Sequence, residues 1–378
     1  MNKPNILILS FSKLHSDPRI LRQYEALKNT CAISTCAYTP FNDGNIPFYQ
    51  IYEGLSFSLL RKIKRLFQFV TRQHDALYWD DNKKRVAAIF KNHNFHVIIA
   101  NDISSLPLAL KIADNKAKVF FDAHDYHPQE FEESFKWRLL HQPSVKYLCK
   151  KYIPKADVFT TASEGFVSIY EKFTGCKPLV ITNAPFYCEL SPTPVSSDYI
   201  KLVSHGAAIP TRKLELMIEM MNYLDKRFHL DFLLLGDINY INKLKKLASS
   251  NINIRFLPPV NTSEIPVFTN SYDLGVYILN PSSLNNRLLS PNKMFEYVQA
   301  RIGAIVSPNQ EIARFVKKYD IGIVVKDYSP KSMAEVIKNL SIEQIMHFKN
   351  QAHKNARTLS ADENMKKINE IVLGLVSK

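Results

Sequence analysis

Short uninterrupted apolar runs alternate along this chain with stretches of helical spacing, a pattern that predicts parallel strands joined by crossover helices. Asn5-Ile-Leu-Ile-Leu-Ser is the first run, and it ends in a polar loop, Phe11-Ser-Lys-Leu-His-Ser-Asp-Pro-Arg. Helical spacing follows from Ile20, with Leu21, Tyr24 and Leu27 on one side. Further strands are expected at 35–38, 96–100, 118–121, 156–161 and 178–182, with helices at 106–113 and 166–172. The same grammar restarts at 200: a strand to 204, a loop over 205–213, a helix over 214–224, strands within 232–237 and 254–260, a short helix or turn over 261–265, and strands at 273–279 and 303–308. An amphipathic helix over 365–376 closes the sequence. Ser191-Pro-Thr-Pro-Val-Ser-Ser-Asp is the clearest linker. The expectation is therefore an α/β protein of two domains, 1–190 and 191–378, with the last helix free to pack back on the first.

With 378 residues the chain exceeds one ordinary core and suits two domains of roughly 150 to 200 residues each. Apolar residues at 46% and charged residues at 22% describe a globular protein, and no run of about 18 uncharged apolar residues is present to span a bilayer. The opening apolar run is too short for a secretory signal and reads as a buried strand, so a cytoplasmic location is expected. Cys31, Cys36, Cys149, Cys176 and Cys188 show no metal-type spacing, and the eleven histidines form no paired helical motif. Reduced thiols and no metal site are the expectation.

A net charge of +14, shared evenly by the two halves, points to an anionic partner: nucleic acid, an anionic membrane surface or a phosphorylated small molecule. Nucleic acid is disfavoured because no aromatic RNA motif or DNA-reading module is present. The glycine fingerprint of dinucleotide binders is also absent, which disfavours a nicotinamide or flavin cofactor. One basic amphipathic helix is expected from Leu59, with Leu59, Ile63, Leu66, Phe67 and Val70 sharing a face and Arg61, Lys62, Lys64 and Arg65 supplying charge. Such a helix either lies on an anionic bilayer or packs on the sheet with a basic outer face.

The stretch Ser290-Pro-Asn-Lys-Met-Phe-Glu-Tyr-Val-Gln-Ala follows a strand and a polar loop and opens a helix. Free backbone N–H groups and the positive end of the helix dipole suit an anion there, and Lys293 adds a mobile cation in the first turn. Glu296 lies one turn on, beside Asn292 and Lys293, where a carboxylate can accept hydrogen bonds from ribose or sugar hydroxyls. An anion with a diol describes a nucleotide. The competing reading is a plain helix cap followed by a solvated i, i+3 pair. A second such place precedes the helix at 214: Gly206 lets backbone approach a ligand, and Arg212 and Lys213 arrive at the helix start. Gly236-Asp237 ends the next strand.

In the first half, loops at the carboxyl ends of parallel strands face the ligand crevice. Asp17 and Arg19 become candidates for binding, unless Asp17 simply caps a helix that has Pro18 at its first position. Asn101-Asp102 ends one strand and Asp122-Ala-His the next. His124 at that point can donate a hydrogen bond to a substrate hydroxyl or phosphate, or can be structural.

Taken together, two Rossmann-like halves, a Pro/Ser linker, a His-Gly pair followed by Arg-Lys, and a strand-loop-helix ending in Glu-Tyr resemble the GT-B glycosyltransferases, nearest the retaining family 4. The resemblance covers nearly the whole chain. Asp17-Pro-Arg, Asp122-Ala-His, Asn183-Ala-Pro and Ser290-Pro-Asn-Lys-Met-Phe-Glu-Tyr look like motifs of members that build bacterial surface polysaccharides. It implies two Rossmann-like domains facing each other across a cleft, with a nucleotide sugar of the UDP or GDP type bound mainly by the second. It also implies a glycan or polyprenyl-linked acceptor held by the first, and transfer with no cofactor or required metal.

By position, Lys213 matches the family lysine on the donor diphosphate, Glu296 the second glutamate of a Glu-x7-Glu motif, expected on the ribose, and His124 a histidine near the transferred sugar. Gly206, Arg212, Asp237, Asn292 and Lys293 would complete the donor site, with Phe256 and Leu257 beside the base. Asp17, Arg19 and Asp102 would face the acceptor. Leu288 stands where the first motif glutamate belongs, and Ala207 where many members carry arginine, so Arg212 and Lys293 are expected to supply phosphate charge. Two other readings stay open: a nucleotide-sugar epimerase of the same fold, and a non-catalytic partner that binds without turnover.

Overall fold

A computed structural model describes residues 3–42, 44–53 and 59–377. In the helix Leu59–Val70 the side chains of residues 59–63 and 66, including the Arg61 and Lys62 charges assigned above to an anionic surface, lie outside the described part.

Seven strands form the first sheet: β1 (Asn5–Leu9), β2 (Ala32–Ala37), β3 (Phe48–Gln50), β4 (Val97–Asn101), β5 (Lys118–Ala123), β6 (Val158–Thr161) and β7 (Leu179–Val180). Their order is β3-β2-β1-β4-β5-β6-β7. The second sheet holds β8 (Ile200–Ala208), β9 (Phe228–Gly236), β10 (Ile254–Leu257), β11 (Leu274–Tyr277), β12 (Gly303–Val306) and β13 (Gly322–Val324), ordered β10-β9-β8-β11-β12-β13. Every pairing is parallel. Strands covered by helices on both faces must be apolar throughout, and β1 from Ile6, all of β4 and all of β11 are buried. In each sheet the order reverses beside the first strand, between β1 and β4 and between β8 and β11. At such switch points α/β sheets open a crevice outside the carboxyl ends of the strands.

The chain divides into two compact units, Met1–Thr182 with Asn364–Lys378, and Asn183–Glu363. The expected boundary at 190/191 is thus displaced. The Pro/Ser stretch reads as a linker because it cannot form a helix or inner strand, yet its groups are anchored in the second unit. Lys349 donates to Thr193 Oγ1 at 2.9 Å, Asn270 donates to the Ser191 carbonyl at 3.0 Å, and Val195 packs on the core. Just before it, Arg301 donates to the Cys188 carbonyl at 2.6 Å. The closing helix Ala361–Val376 buries Ile368, Val372 and Leu375 in the first unit's core with Ile6, Ile8 and Leu27.

Other departures are local. The three-residue β3 and the helices His74–Tyr78, Asp81–Ile89, Phe135–Leu140 and Gln142–Tyr152 carry no strong period and were not expected. In the helix Pro18–Leu27 the buried face is Arg19, Ile20, Gln23 and Leu27, whereas Leu21 is exposed.

That face delivers a polar cluster to the interior. Arg19 donates through Nε and Nη2 to the two oxygens of Asp122 at 2.7 and 2.6 Å, and through Nη1 to the Ile181 carbonyl at 2.8 Å. Gln23 and Thr160 donate to the same carboxylate at 2.7 and 2.6 Å. Burial alone would raise the Asp122 pKa, but the Arg19 charge and hydrogen bonds outweigh it and hold it below the usual range. Its contribution to stability is therefore present above about pH 4 and lost as pH falls through the depressed value. Asp122→Ala would leave a buried guanidinium without its carboxylate, and a loss of roughly 3–5 kcal/mol is expected from urea unfolding. An unchanged midpoint would remove the pair from its structural role.

Candidate functional site

The second unit gathers its predicted residues at the carboxyl ends of β8 and β11. Because β8 runs to Ala208, His205 and Gly206 are strand residues rather than the loop expected after 204. Gly206 has φ +107°, and a Cβ there would come within 2.7 Å of Lys293 Nζ. The ammonium occupies the space that a side chain would take. Lys293 Nζ also lies 4.8 Å from the Tyr277 ring centre, a cation–π contact at the end of β11.

The helix Asn292–Ala300 sits close on β11 because Gly275 makes room for it: a Cβ there would lie 2.4 Å from the Tyr297 ring. Tyr297 in turn donates to the Val276 carbonyl at 3.2 Å. Pro291 occupies the N-cap and offers the helix no side-chain cap, and the Met294 N–H turns back to the Pro291 carbonyl at 3.1 Å, so at this end the helix start presents the N–H groups of Asn292 and Lys293. Asn292 is exposed at this end, while Glu296, one turn on, is buried. A solvated Lys293–Glu296 pair is therefore not what this turn contains.

His205, which the sequence placed in a loop without a role, stands 3.6 Å from Glu296 Oε2 through Nε2 and edge-on to Tyr297. The one sequence signal was the His-Gly pair at the end of an apolar run. Burial, then the Lys293 charge, push its imidazole down to about 3, so the ring is neutral. Lys293 itself is pushed down to about 8, first by burial and then by Arg212, with Glu296 pulling it back. Arg212 is half-buried and within electrostatic reach of both Lys293 and Tyr277. Lys213 follows it in a left-handed conformation, φ 55°, with an exposed side chain.

Asp237, Phe256 and Leu257 stand differently from what the sequence suggested. Asp237 accepts from the Asn239 and Tyr240 N–H groups at 2.9 and 3.3 Å, which makes it the N-cap of the helix Ile238–Ala248 rather than an open carboxylate. The Phe256 ring stacks on Phe232 at 5.1 Å against one core, and Leu257 packs on the other, so neither presents its side chain freely to a base. Leu288, in the place of the motif glutamate, is buried at the end of the short helix Leu284–Leu288.

In the first unit, Asp17 caps the helix Pro18–Leu27 by accepting from the Arg19 and Ile20 N–H groups, and Arg19 is buried against Asp122. The expectation of an acceptor contact from Arg19 is corrected: the Ile20 and Gln23 face turns inward and takes the guanidinium with it. Asp102 and His124 do meet at the carboxyl ends of β4 and β5. Asp102 Oδ2 lies 3.5 Å from His124 Nδ1, and Asp102 Oδ1 accepts from the His124 N–H at 3.3 Å. His124 keeps its side chain partly exposed.

No family model matches the chain, and no curated protein matches its sequence. Among solved structures, HepE of Anabaena in complex with UDP-glucose covers 98% of this chain and 99% of its own, with a TM-score of 0.71 at 13% identity. Sucrose-phosphate synthase of Thermosynechococcus elongatus covers 99% and 100%, with a TM-score of 0.73 at 12% identity. An alpha,alpha-trehalose 6-phosphate synthase of Burkholderia multivorans covers 100% and 99%, with a TM-score of 0.65 at 12% identity. At these identities the likeness is one of fold: this chain has the GT-B architecture of two Rossmann-like domains.

The depressed Lys293 pKa makes anion binding at this site pH-dependent. The ammonium is charged below about 8 and loses its proton above, so affinity for sulfate, a dianion that does not titrate in this range, should fall roughly tenfold between about pH 7 and pH 9.5 when read by titration calorimetry. Lys293→Met should weaken binding and abolish the dependence. Equal affinity at both pH values in the unaltered protein would show that Lys293 does not touch the anion. Gly206→Ala should displace the ammonium and weaken sulfate binding by roughly tenfold, about 1.4 kcal/mol.

Proposed function

We propose that this protein is a glycosyltransferase that moves a sugar from a nucleotide-sugar donor to a glycan or polyprenyl-linked acceptor. The observation that carries the reading is the meeting of Lys293, Arg212 and an uncapped helix start above Gly206, with the buried Glu296 one turn behind. The diphosphate of a UDP or GDP donor would take the cations and amides, and its ribose hydroxyls the carboxylate. The complex of HepE with UDP-glucose, a protein of like fold, adds support.

Departure of a nucleoside diphosphate builds negative charge on its oxygens. Lys213, Arg212, Lys293 and the helix amides would stabilise that charge as it forms, which is binding of the transition state in preference to the ground state. Three cations would then do the neutralising work often given to a divalent ion, so the proposed reaction is metal-independent. Attack by the acceptor hydroxyl on the face that the diphosphate leaves would give retention, as in family 4. His124 and Asp102 in the first unit would bind on the sugar and acceptor side.

The surface of the first unit supports this acceptor class. Phe67 and Val70 are 61% and 70% exposed on the helix Leu59–Val70, beside Lys64 and Arg65. An exposed apolar face with flanking cations suits the inner face of an anionic bilayer, where a polyprenyl-linked glycan is presented. No helix among the described residues is long and apolar enough to cross a membrane. A role in capsule, exopolysaccharide or O-antigen synthesis fits such an acceptor.

Lys213→Ala and Glu296→Ala should each lower transfer by at least about tenfold, the size of one lost charge-assisted contact, in an assay of labelled sugar passing to extracted polyprenyl-linked oligosaccharide. Full turnover in both variants would sink the site assignment. Thermal shift with UDP, GDP, ADP and CMP identifies the base, since a ligand that binds only the native state raises its melting temperature. Conversion of the nucleotide sugar with no acceptor present would mark an epimerase instead.

A further inference from the structure

Beneath His124 runs a line of charged groups that the donor site does not use. Glu130 Oε2 lies 2.9 Å from His127 Nδ1, His127 Nε2 lies 3.3 Å from Asp102 Oδ1, and Asp102 Oδ2 lies 3.5 Å from His124 Nδ1. His127 is 2% exposed. Asp102 holds a left-handed backbone, φ 63°, a conformation that costs energy outside glycine and is found where geometry matters. At the other end of the line His124 Nε2 is buried and has no hydrogen-bond partner among the described residues. Its nearest charge, Asp122 Oδ2 at 3.9 Å, is already held by Arg19 and Gln23.

We propose that His127 is a positioning residue: as an imidazolium bridging Glu130 and Asp102, it locks Asp102 onto the Nδ1–H of His124 and leaves the His124 Nε2 lone pair to accept a hydrogen bond or proton from a substrate hydroxyl. This assignment rests on the transferase reading only for the identity of that hydroxyl. It reverses the donor role that the sequence suggested for His124.

Charge balance supports the imidazolium. A neutral ring protonated at Nδ1 would set its Nε2 lone pair against the Asp102 carboxylate. Burial alone lowers the His127 pKa, but its hydrogen bonds to Asp102 and Glu130 more than reverse this and raise it to about 10. The Ile103 N–H points at Nε2 from 3.4 Å, a contact that only a bare Nε2 could accept and the one that opposes the imidazolium; against it stand two carboxylates, one at each ring nitrogen. The other titratable groups facing the ring are Asp125 and Tyr170; burial first, then the neighbouring Glu130 charge, raise the Asp125 pKa, and burial raises the phenol of Tyr170, which accepts from the His127 N–H.

Nitrogen NMR of histidine-labelled protein tests this without any turnover. At about pH 7.5, His124 should carry its proton on Nδ1 with Nε2 bare, and both nitrogens of His127 should stay protonated to about pH 9. A neutral His127 at pH 7.5, or a proton on His124 Nε2, overturns the proposal and leaves the donor site untouched. In turnover, His127→Gln frees Asp102 from its bridge and should lower kcat roughly three- to tenfold with KM for the nucleotide sugar unchanged. An unchanged kcat, or a loss that falls on KM instead, means that His127 does not position the histidine and overturns it too. Glu130→Gln keeps the ring in place and should let His127 deprotonate at lower pH in the same spectra. An unchanged His127 titration there contradicts the bridge.

Discussion

Holding an ammonium group partly out of water is unfavourable unless an anion completes its surroundings, and the second unit does this with Lys293. Its immediate neighbours withhold full compensation. Arg212 adds like charge, His205 is neutral, and Glu296 offsets only part of what burial and Arg212 do. Much of the local geometry depends on keeping that group where it is. Gly206 has no side chain because the ammonium lies over it, and Gly275 has none because Tyr297 and its helix must sit tight on β11. A dianionic phosphate would relieve what the fold leaves unsatisfied.

The first unit treats buried charge in the opposite way. Arg19 and Asp122 satisfy each other with two parallel contacts, and Gln23, Thr160 and the Ile181 carbonyl take up further polar capacity. Such a cluster leaves little for a ligand. It fixes β5 and the helix Pro18–Leu27 in relation to one another, and so sets the platform from which His124 emerges. The same fold thus uses one carboxyl edge for rigidity and the other for reserve charge.

The strand pattern was legible in the sequence because doubly covered parallel strands must be apolar along their whole length, as in β1, β4 and β11. β3 was not, since three residues at a sheet edge are too few to show a pattern. Gly206 and Lys293 drew notice in the sequence because a glycine at a strand end and a cation at a helix start have local signatures, and the structure sets the ammonium over that glycine. Arg19, Asp237 and Phe256 misled for a common reason. Their partners, Asp122, two following N–H groups and Phe232, decide what each side chain does; that of Arg19 lies 103 residues away and leaves no mark nearby, whereas the cap at Asp237 is local and could have been read from its place before a helix. His205 was passed over because the strand ran four residues further than its apolar core suggested. The domain boundary erred because proline and serine forbid regular structure without forbidding anchorage.

One unit of this fold is discontinuous: its core takes residues 364–378 from beyond the whole of the other. Ile368, Val372 and Leu375 finish a core whose other members lie before residue 182, so the first unit is complete only when the chain returns to it. No single cut therefore separates the two units: cleavage at the junction near 182 would strip the first sheet of the helix that closes its core.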